Sequence, residues 1–542
     1  MKVWQNYPWF RFVTAIAVIF WLVCSALVLI RYYGFYPSYA TFDQGIFDQV
    51  FWNSLHGQFF QSSLSSTESI AVAQDRAIPD VSYHRLGQHF TPALMLWLPF
   101  YALFPSPAGL AVLQVTLVTA AGFVLYALAR HYHPPQLSAL MVASFYGANA
   151  VIGPTLANFH DFCQIPLYLF GLLLAMERCW WGVFWPLAGL TLMVREDAGV
   201  LLFSIGAYLL LSRRKPRLGL AVCVFSLGYI LVLTNLIMPL FSQDVSRRFM
   251  VEQFGQFLVG KEASTLDVIW AIATNPWQLL VELVSPIDRT LRYLLAQWLP
   301  LALVPAISPS AWTLAGFPLL QTLLRQDPSA LAIERRYAIT LVPGLFYGTI
   351  LWWSHHSAQF KSRLRRLWLA CLLLALCLTL TSNPNRAFSF VIPDSIQPWV
   401  YTSPARQWQH TQVIRSLLTA IPKDASVSAT SFIVPHVSGR REVLRFPQIR
   451  LQNDVGKVMQ VQYAIADLWQ FQHYAVVFPW EREQLQRSVV AIDRMLRGRY
   501  GLIRFQDGVA LLQRGRNSDP DSLNAWAVWS QNVLRRILII RE

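Results

Sequence analysis

The sequence predicts a polytopic α-helical membrane protein of about eleven spans, followed by a C-terminal extracytoplasmic α/β domain. Three observations predict it. Of the 542 residues 55% are hydrophobic and only 13% are charged, against about 25% charged in ordinary soluble chains. The missing charge is concentrated in long stretches, many of them near the roughly 20 apolar residues that cross about 30 Å of hydrocarbon. After residue 386 those stretches end, and alternating and turn-rich segments replace them.

The runs without Asp, Glu, Lys or Arg lie at 12–30, 93–129, 134–159, 162–176, 180–194, 198–212, 218–243, 293–324, 337–360 and 367–385. The first is followed by further runs and by no small-residue cleavage site, so it reads as an anchor and not as a cleaved signal peptide. The run at 93–129 holds Pro99, Pro105 and Pro107. It reads as an interfacial or re-entrant piece at 93–104 and a span at 109–129. The run at 293–324, with Pro300, Pro305, Pro309 and Pro318, fits one kinked span or a tight hairpin. The hairpin places Lys361-Ser-Arg-Leu-Arg-Arg366 inside, as the positive-inside rule favours. Inside loops then carry twelve basic residues, Lys2 among them, and one acid, Glu177. The other sixteen acids of the first 385 residues fall outside. The expected organisation is a transmembrane domain at 1–385, with a cytoplasmic N-terminus and outer loops at 31–92 and 244–292, and a separate outer domain at 386–542.

In that last domain Ala425 to Thr430 alternates like a strand, and Val461 to Leu468 and Tyr474 to Phe478 also read as strands. Glu481 to Leu496 has helical spacing. Tyr500 to Gln513, with Asp507-Gly508 in its middle, carries a hairpin signal. Asn524 to Ile540 reads as an apolar-basic helix suited to a membrane surface. The net charge of +15 fits loops facing anionic lipid headgroups. No nucleic-acid motif accompanies it, so nucleic acid is not an expected partner. The six cysteines sit in or beside apolar runs without metal-ligand spacing, and a disulfide framework is not expected.

Charged residues just outside the runs are the candidate chemistry. Asp43 and Asp48 open the first outer loop among aromatics. Each can be a general base or metal ligand, or a capping or solvated acid. His89 meets the start of an apolar run, where histidine can move protons, bind metal or contact phosphate, or merely sit at the interface. Asn158-Phe159-His160-Asp161 ends the third span, as a site or as a polar turn. Arg195-Glu196-Asp197 are the only charges between Trp180 and Ser212. Each flanking run is 15 residues, roughly 22 Å as helix, so the triplet is held close to the membrane boundary. Ionisable groups there are costly and usually face a cavity or a partner. Arg325-Gln326-Asp327 and Glu334-Arg335-Arg336-Tyr337 lie in a later outer loop. Paired arginines beside a tyrosine suit a phosphate through forked hydrogen bonds, whether of a substrate or of a headgroup. No Walker loop, dinucleotide fingerprint, nucleophile elbow or zinc-protease motif is present.

Four stretches carry a resemblance: FDQGIFDQVFWN at 42–53, HFTPAL at 89–94, REDAG at 195–199 and IPKDASVSATSFIVPHVSGRREVLRFP at 421–447. With them the chain resembles an uncharacterised family of bacterial multispanning membrane proteins over most of residues 31–450. More distantly it is similar to GT-C-type glycosyltransferases of the protein-mannosyl and lipid A aminoarabinosyl transferase kind. There Asp43 matches an early acid, His89 and Pro92 a His-Pro segment, Asp161 a later acid, and Arg195-Glu196 a position often basic. The chain departs from the relatives with Asp43-Gln44 in place of Asp-Glu and His-Phe-Thr-Pro in place of His-Pro-Pro.

This resemblance implies an enzyme of the bacterial inner membrane that moves a sugar from a polyprenyl-phosphate donor to a glycan, lipid or protein acceptor. Asp43 would deprotonate the acceptor, and Arg195, Arg335 and Arg336, with Tyr337, would hold the leaving phosphate. Asp48, His89, His160, Asp161, Glu196 and Asp197 would shape the pocket. If a metal takes part, Asp43, Asp161 and Glu196 would suit Mg²⁺ or Mn²⁺. A transporter would carry charges inside several spans and repeated halves, and neither is found. A non-catalytic assembly protein working through residues 386–542 is the remaining alternative.

Overall fold

The computed structural model describes residues 8–34, 41–242, 245–258, 260 and 262–541. Lys2, counted above among the inside charges, lies outside them. The chain divides into two compact units. The first comprises residues 1–26, 86–99 and 111–384, and the second 27–85, 100–110 and 385–542.

The first unit is helical, but the expectation of eleven spans is not met. Among the described residues four helices are long and apolar enough to cross a membrane: Pro8–Tyr33, Pro107–Tyr132, Pro216–Leu240 and Ser362–Thr381. A fifth span results if Pro135–Gly147 and Asn149–Leu156, bent by 44°, are taken as one. Length is the reason for the shortfall. The runs at 162–176, 180–194 and 198–212 fold as Ile165–Glu177, Trp181–Leu192 and Gly199–Leu211, of 13, 12 and 13 residues. At a rise of about 1.5 Å per residue each reaches only about 20 Å, short of the hydrocarbon thickness. The run at 293–324 is interrupted by left-handed Ala302 and Leu303, which separate the helix Ile287–Trp298 from Pro309–Leu323. Neither half spans, so the hairpin that completed the count does not form. The charge ledger built on eleven spans falls with it.

The long helices keep apolar faces turned outward, as lipid contact requires. Val18, Ile19 and Leu22 of the first helix and Leu373, Leu374 and Leu378 of Ser362–Thr381 are exposed. Inside the unit, small residues let backbones approach. A Cβ on Gly348 would lie 2.3 Å from the Cα of Ala311, so Ala338–His355 packs on Pro309–Leu323 only with glycine there.

The second unit holds a five-stranded mixed sheet. Its strands are β1 (Val427–Ala429), β2 (Val443–Arg445), β3 (Tyr463–Asp467), β4 (Tyr500–Gln506) and β5 (Val509–Arg514), in the order β2-β1-β3-β5-β4. The first three are parallel, and β5 pairs antiparallel with β3 and β4. Asp507 and Gly508, both at positive φ, form the expected tight turn of β4–β5. The helix Pro479–Leu496 covers one face through Leu485, Val489 and Ile492. The other face packs on Ile414 and Leu417 of the helix Pro404–Leu418, and on Phe42 and Ile46 of Thr41–Leu55. The strand expected at Tyr474 to Phe478 is instead the end of a short helix, Trp469–Tyr474, and the turn after it. An unbroken apolar run carries no period, and here Ala475 is buried while Val476 is exposed. A further helix occupies Pro520–Arg541, including the expected 524–540.

Candidate functional site

The first unit buries an ionic cluster where three helices break. Arg195 adopts an extended backbone conformation ahead of a short turn, Glu196–Ala198, between two short apolar helices. His160 is also extended, ahead of the turn Asp161–Gln164. Residues 89–91 approach the same place, where Ala93 N–H donates to Met193 O at 2.9 Å. Gly199, the last residue of the REDAG stretch, allows the close fit. A Cβ there would lie 2.6 Å from Ile230 Cγ1.

Arg195 is the hub and is 2% exposed. Its Nε donates to Glu196 Oε1 at 3.2 Å. Asp197 Oδ1 lies 3.7 Å from that nitrogen, and Asp161 Oδ2 lies 3.9 Å from the guanidinium's other side. Glu196 also accepts from Phe90 N–H at 3.0 Å and meets His89 Nδ1 at 2.9 Å. Arg325 donates to Asp197 Oδ2 at 2.9 Å. The guanidinium of Arg195 lies 4.9 Å from the Phe162 ring centroid. Those of Arg325 and Arg336 lie 4.1 and 5.7 Å from the Tyr337 ring, and cation–π attraction holds such planes together.

Burial opposes the charge of Arg195, but Glu196, Asp197 and Asp161 together hold it firmly protonated. Burial pushes the Asp197 carboxyl above its ordinary range, against the pull of Arg195 and Arg325. Tyr337 shows the local potential. Burial alone would raise its phenol, yet Arg336, Arg325 and Arg195 bring it down to about 8. A crevice of about 10 Å³, room for about one water-sized probe, lies between Phe162, Asp197, Arg325, Tyr337 and Thr340. Arg325 Nε is buried there without a hydrogen-bond partner among the described residues.

The sequence candidates divide between the two units. His89, Asp161, Arg195, Glu196, Asp197, Arg336 and Tyr337 meet in the first, with Arg335 beside them in sequence and half-buried. His160 serves the turn: its N–H donates to Gln114 Oε1 at 3.0 Å, and its Nε2 meets Pro154 O at 3.2 Å. Asp43 and Asp48 belong to the second unit, on the helix Thr41–Leu55. Asp48 is buried and accepts from Tyr101 Oη at 2.7 Å and Ser438 Oγ at 2.6 Å. Burial raises it to about 6 in spite of both bonds. Asp43 is half-buried in the first turn of that helix.

Among the described residues no group of three or more His, Cys, Asp and Glu could hold a metal ion. Asp161 and Glu196 both face Arg195, whose guanidinium already supplies their countercharge. Phe162 and Gln114 were not among the sequence candidates, and Arg325 was singled out without a role. Arg325 carried a visible signal as a charge beside an apolar run, whereas a lone glutamine or phenylalanine in such a run carries none.

No curated protein matches the chain. Its fold is similar to that of ArnT from Cupriavidus metallidurans in a crystal structure bound to undecaprenyl phosphate, with a TM-score of 0.50 and 9% sequence identity. The similarity covers 94% of this chain and 98% of that one. A family model described as a predicted membrane protein (DUF2079) matches residues 35–511, and the chain therefore belongs to this family of membrane proteins.

Proposed function

We propose that the protein is a GT-C-type glycosyltransferase that moves a sugar from a polyprenyl-phosphate donor to an extracytoplasmic acceptor. The observation that carries this reading is the cationic wall on Tyr337. Arg325 and Arg336 lie on one ring, and Arg325 Nε has no hydrogen-bond partner among the described residues. A lipid-linked phosphate cannot leave the bilayer, so its charge must be met by fixed cations near the membrane surface. The fold likeness supports the same reading, because ArnT in that structure holds undecaprenyl phosphate.

In this reaction the acceptor hydroxyl attacks the anomeric carbon. The bond from that carbon to the phosphate oxygen breaks, and polyprenyl phosphate leaves with the electron pair. Arg325, Arg335 and Arg336 offset the charge that develops on the leaving oxygen. Arg195, enclosed by three acids, is a positioning residue that fixes Asp197 and through it Arg325. Asp43 is the proposed base that takes the acceptor proton, on the sequence argument, and no step is routed through a metal. The site faces the outside of a bacterial inner membrane in this reading.

The test is consumption of a polyprenyl-phosphate-linked sugar by the purified protein. Asp43→Asn and the pair Arg325→Gln with Arg336→Gln should each lower turnover by about 10²–10³-fold in protein that still melts cooperatively. No turnover of any such sugar by the folded wild type would overturn the reading.

A further inference from the structure

A large cavity is lined entirely by residues of the second unit. Its volume is about 1160 Å³, above the roughly 300–1,000 Å³ of ordinary small-molecule pockets. Six arginines line it, Arg76, Arg445, Arg450, Arg487, Arg494 and Arg499, against one acid, Glu68. Two of the six are engaged. Arg445 pairs with Glu68 at 2.7 Å, and Arg487 pairs with Glu483 on its own helix. Arg76, Arg450, Arg494 and Arg499 have no hydrogen-bonding or ionic side-chain partner among the described residues.

The helix Pro479–Leu496 accounts for part of this wall. Gln484, Arg487, Ala491 and Arg494 follow one another by three or four residues and so form one stripe. Leu485, Val489 and Ile492 hold the opposite stripe in the core. An adjoining hollow of about 600 Å³ shares Arg450, Gln460 and Arg499 and adds Lys457 and Arg514. Uncompensated like charges around one concavity repel one another, and an anion in the cleft relieves that repulsion. The rest of the lining is not that of a simple ion site. Gln448, Gln460, Gln484 and Gln486 offer amides, and Trp480 offers a half-buried indole. Amides suit hydroxyls, and an indole face suits the C–H face of a sugar ring. A volume of about 1160 Å³ has room for several such rings.

We propose that this cleft binds an anionic oligosaccharide, a chain of several sugar rings carrying carboxylate or phosphate groups. The site does not depend on the sugar-transfer reading, since it uses none of those residues.

The experiment uses the full chain in nanodiscs of neutral phosphatidylcholine and three fluorescein-labelled probes: octagalacturonate, malto-octaose and polyphosphate of eight units. Fluorescence anisotropy should show saturable binding of octagalacturonate, with malto-octaose and polyphosphate each at least about tenfold weaker. Arg494→Gln with Arg499→Gln should weaken octagalacturonate binding by about tenfold or more. Arg504→Gln, an exposed arginine outside the cleft, should leave it unchanged. These side chains are exposed, so the variants should melt as the wild type does. Polyphosphate binding as tightly as octagalacturonate, equal losses in the cleft and control variants, or no saturable binding would each overturn the proposal.

Discussion

Replacing Arg195 with methionine removes the one cation that three acids share. The side chain is 2% exposed, and Glu196, Asp197 and Asp161 lie 3.2, 3.7 and 3.9 Å from its nitrogens. Methionine fills much of the same volume, so the loss is one of charge more than of packing. Breaking a buried pair by removing one partner costs roughly 3–5 kcal/mol, because the charge left behind has neither water nor a counterion. Arg325 still meets Asp197, which places the expected loss toward the lower end, about 3 kcal/mol. The assay is thermal unfolding of the purified chain in detergent, with hydrogen exchange over residues 158–164 and 193–201 to localise the opening. Arg195→Met with Glu196→Gln should recover part of the loss, a coupling of about 1 kcal/mol or more for groups in contact. Lowering the pH should also narrow the deficit, because the stranded carboxyls can take up protons. A variant that melts like the wild type, or a deficit that does not change with pH, would refute the picture of a desolvated ionic hub.

Three further outcomes are expected. In the second unit His410 Nε2 lies 3.1 Å from Asp467 and Nδ1 lies 2.8 Å from Asp507, with the Trp469 ring tilted against it at 4.2 Å and Arg406 bonded to Asp507. Burial lowers the His410 pKa, but Asp467 and Asp507 outweigh it and raise the value from 6.5 to about 9. The stabilisation is therefore complete below pH 6.5 and lost as pH rises through 9, roughly 3 kcal/mol at about 1.4 kcal/mol per tenfold change. His410→Gln should remove that slope from a melting-versus-pH series, and an unchanged slope would assign it elsewhere. Asp48 behaves in the opposite sense to most acids, because its value rises from 3.8 to about 6. Its ionisation erodes stability as pH climbs through that window, so Asp48→Asn should raise stability at pH 8 by on the order of 2–3 kcal/mol, seen as a higher melting temperature, and change it little at pH 4. A lower melting temperature at pH 8 would contradict it. Gly199→Val sets a Cβ 2.6 Å from Ile230, and overpacking of roughly 1–3 kcal/mol should appear as destabilisation, whereas Ile230→Ala in the same chain should relieve it.

The sequence made the four long apolar helices legible, since the runs at 12–30, 109–129, 218–243 and 367–385 fall on them. It misled where an uncharged run was shorter than a span. At 162–176 and 198–212 lack of charge goes with burial against neighbouring helices, whereas Trp181–Leu192 is exposed or half-buried at most positions, and composition alone does not separate a buried core helix from a lipid-facing one. In the second unit, alternation at 425–430 and the Asp507-Gly508 turn were readable because both signals are local. Tyr474 to Phe478 was misread for want of a period. The cluster was half legible. Arg195, Glu196 and Asp197 stood out as isolated charges, and His89 and Asp161 were placed at a similar depth. That Asp43 and Asp48 sit in a different unit was hidden, because chain folding, and not spacing, decides it. The role of Gln114 as a clasp on His160 left no trace in the sequence at all.

A cryo-electron microscopy structure of the full chain with undecaprenyl phosphate in a lipid nanodisc decides the proposed function. The phosphate should lie within hydrogen-bond reach of Arg325 and Arg336 beside Tyr337, and the Arg325→Gln, Arg336→Gln variant should lose that density. Phosphate density at a place that none of these side chains touches, in a well-ordered map, would contradict the sugar-transfer reading.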